Sequence, residues 1–508
     1  MHKMSTLRVR IPPSPTGSPH VGNARTALFN YAFAKHHGGA FIVRIEDTDI
    51  ARSEKKYEQE ILEGFRWLGI IADESPEVGG PYAPYRQSER THVYKPYLDR
   101  LLQEGIAFYC FHTKEELDRE RTTLIAEKKS PLHRCSYRDT RIADALVLAE
   151  KKPESVIRFR VPLGRSVSFR DLIRGQLRFE TDVIEDFSLA RNPDAPLYNF
   201  VVTIDDALMK ISHVIRGEEH TTNTPKQILL AEALDFPIPE FAHLPLILGQ
   251  DRSKLSKRHG AMSVLEYRQQ GYLPEALFNF IALLGWHPKD DREILTKDEI
   301  IAEFSLERVQ KSGAIFDFQK LDWMNGEYIR RKSVDELAML CRPYLEHFLA
   351  STPQKTHPDK LENVGVSTSR TGGDILRDVV ALEQPRLKKL SEIGERAEYF
   401  FRPPAYTKEL LRWKNMTDAE ILDSLKRSEN IFSDIGNKLS SGQTIPANEL
   451  AKDFLAQMGE KDRGALLWPL RVALCGKKAS PGPFEIAAIL GIQESLARIR
   501  DARHKLAE

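Results

Sequence analysis

A histidine stands two residues ahead of a glycine in His20-Val21-Gly22, just after a strand-like run from Leu7 to Ile11 and a turn dense in proline and glycine, Pro13 to Pro19. A helix begins where that turn ends. The imidazole and the free N–H groups of the first helical turn therefore point at one spot, which suits a phosphate. By itself the tripeptide also describes a tight turn or a helix cap. A second element adds weight: Lys254-Leu255-Ser256-Lys257-Arg258 is a short cationic loop far downstream. Alone, such lysines are usually solvated. Two basic phosphate-handling elements a domain apart suggest one ATP site assembled from both ends of a split domain.

The elements that must position these residues alternate in an α/β manner over the first 110 residues or so. Strand Leu7–Ile11 leads to a helix from about Gly22 to Lys35, closed by Gly38-Gly39. The run Phe41 to Ile45 reads as a buried parallel strand. It ends in Glu46-Asp47-Thr48-Asp49, at the sheet edge where open α/β folds bind ligands. A helix through Ile61, Leu62, Phe65 and Leu68 follows, with Asp47 and Asp49 expected to cap it. From 110 to 195 the texture changes. Charge clusters, a Cys/His pair and a hairpin-like pairing of Val156–Val161 with Val167–Phe169 indicate an inserted α+β module. The sheet is expected to resume as a strand over Tyr198–Ile204, followed by Asp205-Asp206 and a second run from Ile211 to Ile215. Helical periodicity then dominates, as in Pro274 to Leu284. Residues 351–373 are rich in Ser, Thr, Pro and Gly and read as a long loop.

At 508 residues the chain should hold three or four domains. No run of about 18 apolar residues exists, so no membrane helix is expected, and the N-terminus enters the first strand with no room for a leader. Four cysteines make no disulfide framework, and a cytoplasmic setting fits them. A net charge of +1 argues against a protein that coats nucleic acid indiscriminately. It leaves room for one basic face.

As a set the motifs resemble one family. The run Arg10 to Gly17 followed by His20-Val21-Gly22-Asn23 is similar to the "HIGH" signature of class I aminoacyl-tRNA synthetases in its glutamyl form. So are Ile45 to Asp49, Tyr85 to Arg90, Val214 to His220, the "KMSKS"-like Lys254–Arg258, and Phe316-Asp317 with Lys320 to Asn325. The match runs in order from residue 8 to about 330 and continues more weakly through the C-terminal helices. Glutaminyl relatives have Glu where Ser14 stands, and β-barrel C-terminal domains. Stand-alone relatives that modify a tRNA base lack the anticodon half.

The resemblance implies a Rossmann-like, parallel-sheet catalytic domain (1–110 and 196–245) split by an α+β acceptor-end-binding insertion (111–195). A helical stem-contact region (246–328) and an all-α anticodon-binding domain (329–508) complete the expected chain. It implies ATP-dependent attachment of L-glutamate to the 3′ end of tRNA(Glu), with tRNA(Gln) as an alternative acceptor, by a cytoplasmic monomer using Mg²⁺. No protein nucleophile is needed, so catalysis is positioning and electrostatics. His20, Gly22, Asn23, Lys254, Ser256, Lys257 and Arg258 would hold ATP, with His20, Lys254 and Lys257 carrying the charge that develops as pyrophosphate leaves. Asn23 replaces the usual second histidine of the signature. Arg10 and Arg216 would face the glutamate carboxylates, Arg216 leading for the γ-carboxylate, because a guanidinium fork binds a carboxylate and meets an amide donor to donor. The bland alternative for Arg216 is an ion pair with Glu218 or Glu219. Glu46 would bind the α-ammonium, and Ser14 and Tyr198 would line the pocket. Some members place Asn at the position of Val202, and that contact is absent here.

In the insertion, Cys110, His112, Cys135 and Tyr137 resemble a structural zinc set, with His133 as a substitute ligand and two ordinary cysteines as the alternative. By the same resemblance Arg386, with Lys388 and Lys389 after it, would touch the third anticodon base; a solvated helix face is the alternative. The basic stretch from Arg498 to Lys505 reads as the solvated end of an amphipathic helix. Two rivals remain, a small-molecule nucleotidyltransferase and an inactive tRNA-binding protein. The first has no use for some 180 helical residues, and the second would not keep His20, Glu46, Arg216 and Lys257.

Overall fold

The computed structural model describes residues 7–49, 52–152, 155–260, 262–351, 375–439, 445–458 and 463–507. The side chain of Lys257 and all but the first residue of the expected 351–373 loop lie outside the described residues. The chain divides into two compact units. One comprises Met1–Tyr267 with Pro274–Leu321, the other Arg268–Leu273 with Asp322–Glu508.

The first unit is built on parallel strands. β1 (Arg8–Ile11) pairs in parallel with β2 (Ala40–Val43), joined through α1 (Val21–His36). Helix α1 shows no polar face: Ala24, Leu28, Phe29 and Asn30 are all fully buried, which marks a helix enclosed by the core. It ends at Gly38, whose φ of +64° is the left-handed turn that glycine adopts freely. α2 (Lys55–Trp67) buries Ile61, Leu62 and Phe65 at helical spacing, and α3 (Thr91–Gln103) buries Tyr94, Leu98 and Leu101. Neither Asp47 nor Asp49 caps α2, contrary to expectation. Glu54 is its N-cap, while Asp47 accepts from the Ser88 N–H and hydroxyl, and Asp49 pairs with Arg52.

β3 (Ala107–Cys110), α4 (Lys114–Ala126), α5 (Ile142–Lys151), β4 (Val156–Phe159), β5 (Ser166–Asp171), β6 (Gly175–Glu180) and β7 (Ser188–Ala190) follow. The expected hairpin is not formed. β4 lies between β3 and β7, whereas β5 turns back on β6 over Ser166↔Glu180 to Asp171↔Gly175. Glycine at 175, with φ +84°, closes that second turn. The 156–161 and 166–171 segments both alternate acceptably, so pairing partners were set by packing and not by pattern.

The run Tyr198–Ile204 is a helix and not a strand: α6 covers Tyr198–Leu208. A short, largely apolar stretch carries too little period to separate the two, and the helix runs on through Asp205 and Asp206 to eleven residues. β8 (His213–Gly217), α7 (Thr224–Ala233) and β9 (Glu240–Leu244) complete a parallel layer, with β8 on β9 and β9 on β5 through Asp171↔Phe241. The Ser212 N–H donates to the Arg8 carbonyl (2.9 Å), which sets the start of β8 beside β1. Further on, β10 (Ile247–Leu248) pairs in parallel with β11 (Ala314–Ile315).

The second unit is helical throughout its described residues, with Val334–Ser351, Ile375–Glu383, Glu392–Phe401, Asp418–Lys438, Arg463–Cys475 and Ile492–Ala507 among its helices. The last is not a solvated end. Arg498 is buried and donates to the Leu474 carbonyl (2.6 Å), Arg500 pairs with Glu429 (2.8 Å), and the Lys505 ammonium lies 4.1 Å from the Tyr406 ring centre.

Candidate active site

The two basic elements do converge. The Val264 N–H donates to the Pro19 carbonyl (3.1 Å), and His20 bridges to Ser263 in antiparallel fashion. On the other side Lys254 bridges to Leu248, and the Leu255 N–H donates to the Ile247 carbonyl (2.9 Å). The cationic loop is thereby pinned at both ends beside the start of α1. His20, Gly22, Asn23, Lys254 and Ser256 line one cavity of about 290 Å³, together with Arg25, Glu219 and Glu266, which the sequence reading missed. Arg258 is exposed and is not part of that wall.

His20 is the N-cap of α1, its Nδ1 accepting from the Gly22 N–H (3.1 Å). A Cβ at position 22 would stand 2.9 Å from the imidazole, so the His-x-Gly pairing is what lets the ring fold over the helix end. Partial enclosure, and then the Lys254 charge, hold the His20 pKa below its ordinary value, so the ring is neutral at pH 7. A neutral cap leaves Nε2 and the helix N-terminus available to phosphate oxygens.

A second cavity, of about 420 Å³, is lined by Ser14, Glu46 and Tyr198, and also by Gln87 and Arg191. Arg10 and Arg216 are buried next to Tyr198, where their charges pull against the burial that raises its pKa. The Tyr198 hydroxyl lies 3.2 Å from His220 Nδ1. Burial first, and Arg216 next, push His220 down to about 4, so it is neutral there. Arg10 is gripped along one edge by Asp206, and Arg216 donates to His243 Nε2 (3.3 Å) and Thr224 Oγ1 (2.7 Å), neither of them an anion. Its expected rival partner, Glu218, instead binds Arg174 and the Leu246 N–H. Nη1 of both Arg10 and Arg216 is buried with no hydrogen-bond partner. Leaving such a donor unpaired costs about 1–3 kcal/mol each. Neither arginine is among the residues lining the 420 Å³ cavity; both lie behind Tyr198.

Glu46 is buried against Arg44 (3.1 Å) and Gln87 (3.4 Å). Burial outweighs the pull of Arg44 and Arg10 and lifts its pKa to about 7. Behind it runs a network the sequence reading did not foresee: Arg44 meets Asp206 (2.7 Å) and Asp205 (3.7 Å), and Asp205 also takes Arg90 (2.7 Å), Tyr94 (2.9 Å) and Gln87 (3.0 Å). The only signal in the sequence was the Asp205-Asp206 pair directly after an apolar run.

In the first unit, Cys110, His112, His133 and Cys135 gather their ligand atoms within 4.8 Å of one another. His133 is the fourth member of that group, while Tyr137 packs its ring edge-on to His112 (centroids 5.2 Å) and its hydroxyl lies 3.5 Å from Lys152 Nζ. Cys110 Sγ lies 3.5 Å from His112 Nδ1 and 3.8 Å from His133 Nε2, and Cys135 Sγ 3.6 Å from His112 Nδ1. A tetrahedral zinc separates nitrogen and sulfur ligands by roughly 3.3–3.8 Å. The set fits. His133 Nδ1 bonds Glu120 (2.5 Å), which turns Nε2 toward the cluster.

In the second unit Arg386 is exposed on the rim of a cavity of about 360 Å³ lined also by Glu383, Arg396 and Tyr399. Glu383 is buried 3.7 Å from the Arg386 guanidinium. Lys388 is exposed, and Lys389 lies 3.6 Å from Asp322. No helix of the described residues is long and apolar enough to cross a membrane.

Comparison with known proteins agrees with this geometry. Residues 6–323 match the family model "tRNA synthetases class I (E and Q), catalytic domain", and residues 336–503 match "Anticodon binding domain". The chain is 45% identical to the glutamate–tRNA ligase of Carboxydothermus hydrogenoformans, over 97% of this chain and 99% of that one. It is 43% identical to that of Sulfurihydrogenibium sp., over 97% and 98%. The crystal structure of a glutamate tRNA ligase from Elizabethkingia meningosepticum in complex with its amino acid superimposes with a TM-score of 0.83 at 34% identity, covering 99% of this chain and 100% of that one. With its catalytic half matched across the cationic loop and its likeness running nearly end to end, the chain belongs to the class I tRNA synthetases of the E and Q group.

Proposed function

We propose that this protein joins L-glutamate to the 3′-terminal adenosine of tRNA(Glu) at the expense of ATP, through an enzyme-held glutamyl-adenylate. Membership of the family and the names of its relatives support glutamate as the amino acid and tRNA as the acceptor. The observation that carries the reading is the pair of buried guanidinium groups, Arg10 and Arg216, each with an Nη1 that has no hydrogen-bond partner, beside Tyr198, which lines one cavity with Glu46. A ligand with two carboxylates and one ammonium matches that charge pattern.

In this scheme Arg216 takes the γ-carboxylate and Arg10 the α-carboxylate end, while Glu46 faces the ammonium and Ser14 and Tyr198 close the walls. The α-carboxylate attacks the α-phosphorus of MgATP and the bond to pyrophosphate breaks. His20, Gly22 and Asn23 at the start of α1, with Lys254, Ser256 and Lys257 of the loop, steady the triphosphate as charge moves to the leaving oxygens. The ribose hydroxyl of tRNA then attacks the mixed anhydride and AMP leaves. Mg²⁺ arrives with the nucleotide as part of the substrate.

The module at 111–195 would receive the acceptor end, 246–328 the stem and 329–508 the anticodon, with Arg386 at its third base. Zinc held by Cys110, His112, His133 and Cys135 would fix the fold of the module. We read the enzyme as a cytoplasmic monomer. The test is aminoacylation with purified tRNA(Glu) and tRNA(Gln). Glutamate charging of tRNA(Glu) that depends on ATP is the expected result, and charging of neither tRNA would overturn the reading. Glutamate-dependent ATP–pyrophosphate exchange should also require tRNA.

A further inference from the structure

Arg216 is held by a chain of groups that ends outside the pocket. Its Nε–H donates to His243 Nε2 (3.3 Å), and His243 Nδ1 lies 2.6 Å from Asp171 Oδ2; all three side chains are buried. Four groups close on the Asp171 carboxyl. The His243 N–H (3.1 Å) joins the ring at Oδ2, and the Ile173 (2.9 Å) and Arg174 (2.8 Å) N–H groups fill Oδ1. The Asp171 carboxyl is an anion: burial opposes its charge, but the His243 contact and the Arg174 and Ile173 N–H groups hold its pKa below the ordinary value, and an anion can only accept. The proton on the imidazole therefore sits on Nδ1. Burial, with Arg216 and Arg174 nearby, keeps the ring neutral. Nε2 is left as a lone-pair acceptor aimed at Arg216.

The ring cannot swing away. It lies parallel to Phe241 (centroids 6.3 Å, 9°) and near Phe169, and the Arg216 guanidinium itself covers Phe241 at 5.7 Å. Thr224 completes the clamp, its Oγ1 accepting from Arg216 Nη2 at 2.7 Å and lying 2.9 Å from His243 Nε2. Two of the three guanidinium nitrogens are thus committed to neutral acceptors, and Nη1 is the one left over.

We propose that His243, oriented by Asp171, is a positioning residue that sets which edge of Arg216 faces the amino-acid pocket, and so the preference for a carboxylate over a carboxamide side chain. The inference rests on the proposed contact between Arg216 and the γ-carboxylate and extends it beyond the pocket wall. Asp171 closes β5, whose register with the parallel layer is the single pair Asp171↔Phe241. A strand within the insertion, 72 residues from His243 in sequence, therefore helps to fix amino-acid selectivity.

Three substitutions test this in the full-length enzyme. His243→Phe keeps the ring's volume and removes the acceptor. His243→Gln keeps an acceptor oxygen where Nε2 stood. Asp171→Asn offers an amide N–H to Nδ1, which forces the proton to Nε2 and sets donor against donor at Arg216. A hydrogen bond to a charged group is worth enough that His243→Phe and Asp171→Asn should raise the KM for glutamate at least about tenfold. The KM for ATP should stay within about twofold, and glutamine should become a better competitor relative to glutamate. His243→Gln should recover most of the loss. Equal rises in both KM values, or a Gln variant no better than Phe, would overturn the proposal. Should Asp171→Asn fail to fold, the Gln/Phe pair decides. Arg216→Ala separates the two levels: if it leaves the glutamate KM unchanged, the underlying contact is wrong, and if it raises the KM while His243→Phe does not, only the relay is wrong.

Discussion

Asp206 grips Arg10 along one edge, with Nε at 3.1 Å and Nη2 at 3.0 Å, and leaves Nη1 turned away without a partner. The same carboxylate takes Arg44 Nη1 at 2.7 Å. One anion thus neutralises two fully buried cations and presents the free nitrogen of one of them.

Removing that anion should be costly. Asp206→Ala leaves two desolvated guanidinium groups short of a counter-ion, and breaking a buried pair in this way costs about 3–5 kcal/mol. Urea unfolding of the purified variant measures it, and a loss under about 1 kcal/mol would contradict the role assigned. Because Arg10 and Arg44 hold the Asp206 carboxyl below its ordinary range against the opposing effect of burial, its contribution is present above the unfolded value of about 4 and fades as pH falls through the lower folded one.

Arg216→Ala should raise the KM for glutamate by about tenfold or more with little change for ATP, since a charged hydrogen-bond pair is lost at one substrate only. Arg216→Lys should rescue poorly. An ammonium cannot serve His243, Thr224 and a carboxylate from one planar fork. Parallel increases in both constants would count against a side-chain role.

Glu46 makes a pH prediction. Burial raises its pKa from 4.5 to about 7, so in the free enzyme its stabilising contribution is complete below 4.5 and is lost as pH rises through 7. The protonated acid cannot attract an ammonium. Glutamate should therefore bind better between pH 6 and 8 as Glu46 ionises, with a falling KM (roughly tenfold across the window). Arg44 and Asp206, which face it, keep their charges over that range. Glu46→Gln should flatten the profile and leave the KM high. An unchanged slope in the variant would assign the titration elsewhere.

Metal content distinguishes the ligands of the Cys/His cluster. His133→Ala should lower zinc per chain, measured by inductively coupled plasma mass spectrometry after dialysis, whereas Tyr137→Phe should leave it at the unsubstituted level. Chelation should lower the thermal midpoint of the unsubstituted protein and leave the His133→Ala midpoint nearly unmoved. The reverse pattern would restore Tyr137 as the ligand.

Local chemistry was legible wherever one short segment carries its own geometry. His20 and Gly22 make a helix cap over two residues, and the strand-then-carboxylate order at Ile45-Glu46 places an acid at a sheet edge, so both could be read along the chain. The helix over Tyr198–Leu208 could not, because a run that is apolar on every side has no period and its state is chosen by what packs around it. The partners of 156–161 and 167–169 were equally hidden, because alternation fixes which face a strand buries and not which strand it pairs with.

The amino-acid sequence by itself determined the family, the alternation of strands and helices at the start of the chain, and the two short elements, His20-Val21-Gly22 and Lys254–Arg258, that meet at one cavity, because each is written in contiguous residues. Only the tertiary structure decided that Asp206 would face Arg10, that His133 would join His112 and the two cysteines, and that Asp171 would reach Arg216 through His243. Those pairings span up to 196 residues of chain. A charged side chain at such a distance carries no mark of its partner; burial selects the partner, since a charge removed from water must find its complement among the few groups the fold has enclosed with it.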